Sequence, residues 1–366
     1  MNTDFAIIGG GVVGLSLAWG LLKQGYKVTI VDGSDGSYRA SRGNFGLIWV
    51  QGKGVGAPHY ARWTQRSASL YRDFSEELSD ATGINVSLEQ NGGFEYFFSD
   101  DDLLQTQAVY EQLKQQLGGD YPFEILRGDA LRKEEPTVGP EVTSAILHHQ
   151  DGHLNPLKLL RALNADCQRM GGVYLSNHMV RSVSKGHQFT LSCDDGTRIG
   201  ADRVILSAGL GALDLGPKMG FVTPLEPERG QVLITEKLPR MINRPSVTAR
   251  QVDEGGIQIG ATNEKIGFNR DVTTKGIAFL ADQAIRTHPF LAKVKLVRSW
   301  GALRILSRDG KPIYQESPTM PGAYLVTCHS GITLAAVHAR LLPGWFDKKQ
   351  DAPDLEAFSE DRFRLS

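Results

Sequence analysis

The sequence predicts an α/β fold in which a domain built on a parallel sheet is interleaved with an α+β domain built on an antiparallel sheet. Two observations favour this fold. Alternating strand and helix patterns begin at the N-terminus, stop after Gly33 and return at residues 151–209. Residues 86–98 and 221–262 instead show the short apolar runs of antiparallel strands. The predicted boundaries are residues 1–84, 146–220 and 297–366 for the first domain, and residues 85–145 and 221–296 for the second.

The first unit of the chain carries a dinucleotide-binding pattern. Residues 4–31 predict a strand, a turn, a helix and a second strand, and the turn has GxGxxG spacing at Gly9, Gly11 and Gly14. In this pattern the first glycine makes the tight turn, the second lets the backbone approach a pyrophosphate, and the third lets helix pack on strand. Asp32 ends the second strand, where it can accept hydrogen bonds from ribose hydroxyls and would repel a 2′-phosphate. The bound dinucleotide can therefore be either FAD or NAD, whereas NADP is disfavoured.

The continuation of the chain favours FAD over NAD. An NAD dehydrogenase would complete its nucleotide domain near residue 150 with further strand and helix units. Here a glycine-rich segment at residues 37–54 is followed by predicted helices at 58–78 and 101–117. The acidic residues 100–102 at the start of the second helix predict a solvated helix N-terminus and not a metal site.

Composition and charge exclude several classes of protein. The chain has 366 residues, 41% of them apolar, which is enough to bury a large core. Its formal net charge of −1 argues against nucleic-acid binding. The apolar run at residues 5–22 is rich in glycine and no positively charged residue precedes it, so no integral membrane segment is predicted. Cys167, Cys193 and Cys328 are widely spaced, which indicates a reducing, cytoplasmic setting.

Several separated motifs resemble the FAD-dependent D-amino-acid oxidase superfamily, in particular its glycine oxidase, sarcosine oxidase, and opine and hydroxyproline dehydrogenase branch. Besides the glycine turn, they are residues 40–46 (ASRGNFG), 151–156 (DGHLNP), 204–209 (VILSAG), 227–231 (PERGQ), 255–262 (GGIQIGAT), 298–304 (RSWGALR), 309–312 (DGKP) and 329–335 (HSGITLA). The resemblance implies that the first predicted domain is a Rossmann-like FAD-binding domain. It implies that the second predicted domain binds the substrate.

The resemblance also names the residues that hold the cofactor. They are Gly9, Gly11, Val12, Val13, Gly14, Asp32, Gly33, Ser41, Arg42, Asn44, Phe45, Gly46, Leu47, Val180, Ala208, Gly209, Gly301, Arg304, Ser330, Gly331, Ile332 and Thr333. Residues 303–307 lack the cysteine that links the flavin in covalent relatives, so non-covalent FAD is expected. The backbone of Val180 is expected against the adenine.

Three residues are predicted to take part in catalysis: Arg304, Gly331 and Thr333. Residues 331–333 are expected to open the last helix with Ser330 as its N-cap, so that free N–H groups face the flavin edge where charge develops. In the family, the arginine at the position of Arg304 binds the substrate carboxylate, and a guanidinium suits that task because it pairs bidentately.

Two further residues are predicted to bind the substrate. Glycine oxidases bring a tyrosine to the carboxylate from the strand before the GAT motif, and residues 245–250 contain none. Arg250 is the candidate replacement. Trp49 is expected to line an apolar pocket.

The implied reaction is oxidation of the C–N bond of a small primary or secondary amino acid by hydride transfer to flavin N5, giving an imine that hydrolyses to an oxo acid. The electron acceptor remains open among oxygen, a quinone and an electron-transfer partner. The oligomeric state is also open, with homo- and hetero-oligomers both possible. The alternative is a flavin-bearing dehydrogenase subunit of a hetero-oligomer of the opine or D-hydroxyproline type. A third hypothesis is a flavoprotein in which FAD is a structural scaffold.

Other polar residues are given structural interpretations. His149 and His153 stand four apart, but their setting predicts strand and turn, so no metal is expected. Lys265 is expected at the surface. His329 and His338 are expected to be structural.

Overall fold

The computed structural model describes residues 2–33 and 40–363. The first three residues of the predicted segment 37–54, and the ends of the predicted domains at residues 1 and 364–366, lie outside the described residues. The helices are α1 (Val12–Lys23), α2 (Pro58–Thr82), α3 (Asp100–Gln116), α4 (Gly128–Glu134), α5 (Pro156–Arg169), α6 (Ala212–Leu215), α7 (Thr274–Thr287), α8 (Ala335–Arg340) and α9 (Leu342–Phe346).

The strands form four sheets. They are β1 (Asn2–Ile8), β2 (Val28–Asp32), β3 (Leu47–Ile48), β4 (Gly93–Phe97), β5 (Phe123–Arg127), β6 (Ser144–His148), β7 (Gly152–His153), β8 (Val173–Ser176), β9 (Val180–Lys185), β10 (Phe189–Cys193), β11 (Arg198–Leu206), β12 (Leu225–Lys237), β13 (Ala249–Gln251), β14 (Gly256–Gly260), β15 (Leu296–Ser307), β16 (Ile313–Glu316) and β17 (Ala323–Thr327).

The central sheet is parallel over most of its width, in the order β8-β2-β1-β11-β17. Its inner strands are continuous apolar runs because both faces are covered. In such a sheet the carboxyl ends of neighbouring strands meet at one edge, where ligands bind. In this protein the carboxyl ends of β1, β2 and β11 meet at that edge.

Helix α1 is buried on nearly all sides, since it lies between the central sheet and the helices α5, α8 and α9. Its Trp19 Nε1–H donates to Asp166 Oδ2 of α5 over 2.7 Å, and both side chains are at most 1% exposed. Because an unpaired buried donor is costly, this bond fixes α5 against α1.

The antiparallel part is a four-stranded sheet in the order β13-β14-β12-β15, with a three-stranded sheet β4-β6-β5 beside the helices α3 and α4. Strand β15 pairs with β12 along almost its whole length. Residues 297–307 therefore lie in the antiparallel sheet, whereas the predicted boundary at 297 places them in the first domain. The domain boundaries stay predictions.

The predicted α/β class with additional antiparallel sheets is confirmed, and so are the three predicted helices α1, α2 and α3 within a few residues. The expectation of alternating strand and helix throughout 151–209 is wrong in its second half. Strands β9, β10 and β11 form an antiparallel meander. The connection at residues 194–197 is too short for the crossover that parallel strands require. Among the described residues, no helix is both long and apolar enough to cross a membrane.

Replacing Asp166 tests the link between α1 and α5. Asp166→Ala removes the acceptor of the Trp19 indole N–H, and we expect the free energy of unfolding to fall by about 1–3 kcal/mol. Urea unfolding followed by circular dichroism measures it. Asp73→Ala, at an exposed position of α2, is the control, with an expected change below about 0.5 kcal/mol. Equal losses in the two variants would contradict the assigned role.

Candidate functional site

Two adjoining cavities of about 820 Å³ each lie where the two main sheets meet. The glycine-loop cavity is at the carboxyl ends of β1, β2 and β11, and its lining includes Gly9, Gly11, Val13, Gly33, Ser41, Val180, Ser207, Ala208 and Gly209. The arginine cavity lies over the antiparallel sheet, and its lining includes Asn44, Phe45, Leu47, Trp49, Lys53, Gly230, Gly260, Thr262, Glu264, Arg304, His329, Ser330, Ile332 and Thr333. Ala40, Leu303 and Ile305 line both cavities, so the two are contiguous.

The glycine turn can be built only from glycines. Gly9 has a φ of +110°, and a Cβ there would lie 2.6 Å from the carbonyl oxygen of Ser207 at the end of β11. A Cβ at Gly14 would lie 1.9 Å from the carbonyl oxygen of Gly9, so α1 starts in direct contact with the turn. The predicted tight turn and the close packing of helix on strand are both present.

The start of α1 presents free N–H groups beside the glycine-loop cavity. The Val12 N–H donates to Ser41 Oγ over 3.0 Å. No described residue accepts from the N–H groups of Val13 and Gly14. The positive end of the helix dipole and unpaired N–H groups together form an anion site. The geometry therefore suits the pyrophosphate of a dinucleotide.

Asp32 is 3% exposed and its Oδ2 accepts from the Gly10 N–H over 2.5 Å. The carboxylate at the end of β2 therefore stabilises the glycine turn by this hydrogen bond. It does not line the cavity, whereas the next residue, Gly33, does. The predicted contact with a ribose stays a prediction.

Some predicted cofactor residues line neither cavity; these are Val12, Gly14, Arg42, Gly46 and Gly331. The Gly46 N–H donates to Asn44 Oδ1 over 2.7 Å, which closes a turn in the segment between the cavities. A Cβ at Gly331 would lie 3.0 Å from Val12 Cγ1, so this glycine packs against the start of α1.

Gly301 is not at the cofactor site, which corrects the prediction. A Cβ there would lie 2.4 Å from the carbonyl oxygen of Arg270, and the residue lines a separate cleft with residues 268–272. The reason is its register in β15, which turns this part of the strand towards the 268–272 segment.

Arg250 does not reach the arginine cavity either. It is 3% exposed, and its Nη1 lies 3.0 Å from His153 Nδ1. Its guanidinium faces the ring of Phe45, which itself lines the cavity. Burial lowers the pKa of Arg250 to about 10. The predicted substitution of Arg250 for a substrate-binding tyrosine is therefore wrong, because its side chain is buried against His153 and Phe45 and does not line the cavity.

Ser330 is not an N-cap, and residues 331–333 do not open a helix. They form a turn, and α8 begins at Ala335 with no side-chain cap. Ser330 Oγ instead shares a hydrogen bond of 2.9 Å with the Tyr60 hydroxyl. Thr333 Oγ1 accepts from the Trp49 N–H over 3.1 Å, so it positions Trp49 directly after β3.

Arg304 is held by one nitrogen. Its Nη1 donates to the carbonyl oxygen of Thr262 over 2.7 Å and to Glu228 Oε1 over 3.2 Å. Glu228 stands directly opposite Arg304 in the β12–β15 pair, so the ion pair follows from the strand register. Gly230 makes room for it, since a Cβ there would lie 2.9–3.0 Å from the guanidinium.

The remaining edge of the Arg304 guanidinium is open to ligand. No described residue accepts a hydrogen bond from its Nε or Nη2. An arginine with two adjacent N–H groups free can bind a carboxylate bidentately. The residue is partly exposed to the arginine cavity, as the predicted carboxylate ligand requires.

Three residues of the site were missed by sequence reasoning. Glu228 and Gly230 lie within the PERGQ motif, but their effect on Arg304 depends on strand pairing. Lys53 lines the arginine cavity from the glycine-rich segment; the signal for it was a lysine in an otherwise apolar and glycine-rich stretch. Trp49 does line this cavity, as predicted.

The positions of Lys265, His338 and His329 can be compared with the structural interpretations given to them from the sequence. Lys265 is exposed, as predicted. His338 is fully buried and its Nε2 is 2.9 Å from the Tyr314 hydroxyl, which confirms a structural role. His329 differs from expectation because it lines the arginine cavity, and burial lowers its pKa to about 3. No group of three metal-ligating side chains occurs in the described part of the chain.

The chain resembles known proteins along its whole length. Residues 4–343 match the family described as DAO, FAD dependent oxidoreductase. The B subunit of opine oxidase from Agrobacterium tumefaciens (strain Ach5) is 40% identical over 99% of this chain and 98% of its own. The corresponding opine oxidase protein of Rhizobium meliloti is 38% identical over the same shares. The crystal structure of glycine oxidase from Geobacillus kaustophilus superposes with a TM-score of 0.90 at 24% identity, covering 98% of each chain, which shows the same fold.

The glycine turn, the open helix start and the adjoining arginine cavity fit a bound dinucleotide with a substrate beside it. This chain belongs to the DAO family of FAD-dependent oxidoreductases, and FAD is its cofactor.

Proposed function

We propose that this protein oxidises the C–N bond of a small amino acid with a primary or secondary amine. The observation that carries the proposal is Arg304, whose open guanidinium edge faces a cavity contiguous with the dinucleotide cavity. Bound FAD supplies the acceptor for the hydride that leaves the substrate carbon. The resulting imine takes up water and gives an oxo acid and the released amine.

We propose that the cofactor extends along both cavities. The N–H groups of Val13 and Gly14, with Gly11 and Ser41, would hold the pyrophosphate at the start of α1. The backbone of Val180, which lines the same cavity, would contact the adenine.

The residues of this chain have three tasks in the reaction. Arg304 binds the substrate carboxylate and thereby fixes the carbon that loses hydride. Phe45 and Trp49 provide apolar walls that exclude water from the reacting bond. His329, kept neutral by burial, adds no positive charge that would hold the substrate amine away.

We propose a second candidate: the flavin-bearing subunit of a hetero-oligomeric dehydrogenase. The 40% identity to the B subunit of opine oxidase, over nearly the full length of both chains, favours it. In this case the electrons leave through a quinone or a partner protein and not through oxygen. Hydrogen peroxide release by the purified chain would favour an oxidase, whereas dye reduction without peroxide would favour the hetero-oligomer.

Anaerobic bleaching of the flavin tests the main proposal. We expect glycine, sarcosine, a D-amino acid, D-hydroxyproline or iminodiacetate to bleach the visible flavin band of the FAD-loaded protein, because hydride transfer reduces the flavin. Acetate and simple alcohols are the controls and should not bleach it. If no amine in such a screen bleaches a flavin that dithionite does reduce, the proposal is wrong.

Arg304→Ala removes the proposed carboxylate ligand. We expect kcat/KM for the bleaching amino acid to fall roughly 30-fold or more, because truncating one partner of a desolvated charge pair costs about 2–5 kcal/mol. Arg308→Ala, four residues further along at an exposed position, is the matched control. An unchanged KM in Arg304→Ala would exclude the assigned role.

Gly230→Ala tests whether the placement of Arg304 matters. The new methyl would overlap the guanidinium, which is the flexible end of a side chain and can move, so we expect the fold to survive. KM should rise about tenfold with a smaller change in kcat, because a displaced arginine loses binding in ground and transition state alike. Gly186→Ala, where the nearest atom to a Cβ is 4.0 Å away, is the control. Identical kinetics in the two variants would show that this placement is irrelevant.

A further inference from the structure

Residues 262–273, which we call the bridging segment, run between the two cavities. Thr262 and Glu264 line the arginine cavity, whereas Phe268 and Arg270 line the glycine-loop cavity. The segment ends at Thr273, the N-cap of α7. The proposed reaction gives no task to any of these side chains.

Glu264 is the centre of a hydrogen-bond network that anchors the bridging segment to β12. Its carboxylate is ion-paired with Arg229, whose Nη2 donates to Oε2 over 2.5 Å and whose Nε donates to Oε1 over 3.3 Å. Gln231 Nε2 and Thr262 Oγ1 also donate to Oε1, over 2.7 and 2.6 Å. The bond from Arg229 lowers the pKa of Glu264 to about 2, so the carboxylate is charged near neutral pH. Arg229 is only 4% exposed, and a cation so deeply buried requires this counter-ion.

The network fixes the carbonyl group that holds Arg304. Thr262 Oγ1 accepts from the Gln231 N–H over 2.9 Å while it donates to Glu264, so the side chain of Thr262 is held from two sides. The carbonyl oxygen of Thr262 accepts the shortest hydrogen bond of Arg304, which is 2.7 Å from Nη1. The placement of the guanidinium therefore depends on Glu264 through one intermediate residue.

The same ion pair holds the part of the bridging segment that lines the glycine-loop cavity. Arg229 Nη1 donates to the carbonyl oxygen of Asp271 over 2.7 Å and to Asn269 Oδ1 over 3.2 Å. These two acceptors stand on either side of Arg270, which lines that cavity together with Phe268. Because Glu264 fixes the guanidinium of Arg229, it also fixes this piece of the cavity wall.

We propose that Glu264 is a positioning residue for both ligands of the site. Through Thr262 it orients Arg304 towards the substrate carboxylate, and through Arg229 it holds the wall of the glycine-loop cavity against the cofactor. The substrate half of this inference rests on the proposed function, whereas the cofactor half requires only that FAD binds. Loss of the Glu264 carboxylate would weaken the binding of two ligands that occupy different cavities.

Glu264→Gln tests both halves without any turnover. The variant keeps the size of the side chain but replaces one acceptor oxygen by an NH₂ group, which cannot accept from Arg229 or its neighbours. We expect the dissociation constant of FAD, measured as free FAD after ultrafiltration of the diluted holoprotein, to rise about tenfold. By calorimetry on the FAD-loaded protein, the dissociation constant of (methylthio)acetate should also rise about tenfold. This carboxylate has no N–H and is therefore not a substrate. Glu226→Gln, at an exposed position of β12, is the control and should change neither value.

Two variants of Thr262 separate positioning from a general loss of stability. Thr262→Val removes the hydroxyl that links Glu264 to Arg304 but leaves the Arg229–Glu264 ion pair in place. We expect it to weaken (methylthio)acetate binding about fivefold and to leave the FAD affinity within twofold of the wild type. Thr262→Ser retains the hydroxyl and should recover most of the lost binding. With active enzyme, KM should rise in Thr262→Val with a smaller change in kcat.

Asn269→Ala tests the cofactor half in a variant that keeps Glu264. It removes one acceptor of Arg229 and the acceptor of the Asp271 N–H, at an exposed position that does not line the glycine-loop cavity. We expect the dissociation constant of FAD to rise about threefold while (methylthio)acetate binding to the FAD-loaded protein is retained.

The outcomes separate this inference from the proposed function. Unchanged FAD affinity in both Glu264→Gln and Asn269→Ala would overturn the cofactor half. Equal losses of (methylthio)acetate binding in Thr262→Val and Thr262→Ser, or no loss in either, would overturn the substrate half, even if Glu264→Gln fails to fold. A wild-type protein that does not bind (methylthio)acetate would overturn that half as well. Conversely, a flavin that no amine bleaches would refute the oxidation alone, because all of these binding measurements would still stand.

Discussion

The long antiparallel pair of β12 and β15 is the constraint on which the candidate site depends. Its register sets Glu228 opposite Arg304 and brings Gly230 under the guanidinium. Because side chains alternate along a strand, Leu303 and Ile305 form the wall shared by both cavities, while Arg304 between them lines the arginine cavity only. One strand pairing therefore fixes the position of Arg304, the proposed carboxylate ligand, relative to the glycine-loop cavity.

The electrostatics of the site follow from the positive charge that has no carboxylate partner among the described residues. Arg304 is held by Nη1 and keeps its other edge free, so it is both positioned and available. Lys53 comes from a different part of the chain and adds a charge that no described carboxylate pairs with. Arg304, Lys53 and the exposed Lys275 all line this cavity, and desolvating several cations in one cavity is costly unless an anion pairs with them.

The sequence predicted the local parts of the fold well. The glycine turn, α1 and β2 depend on residues within about thirty positions of each other, so spacing and apolar pattern were sufficient. The errors arose where contacts between distant segments decide the outcome. Ser330 is a good N-cap residue by type, but its hydroxyl pairs with Tyr60 from α2 and the helix starts later. Arg250 lies in β13, but its guanidinium is buried against Phe45, from a segment about two hundred residues earlier, and does not line the cavity.

By itself the sequence determined the dinucleotide turn, the family resemblance and the choice of Arg304, because each is written in consecutive residues with a characteristic chemistry. Only the tertiary structure decided which predicted residues face a ligand. Gly301 turns towards residues 268–272, Asp32 braces the glycine turn, and Lys53 reaches the same cavity as Arg304. The physical reason is that a side chain's partners come from whichever elements pack against it. Those contacts join positions as far apart as 53 and 304, which no local pattern records.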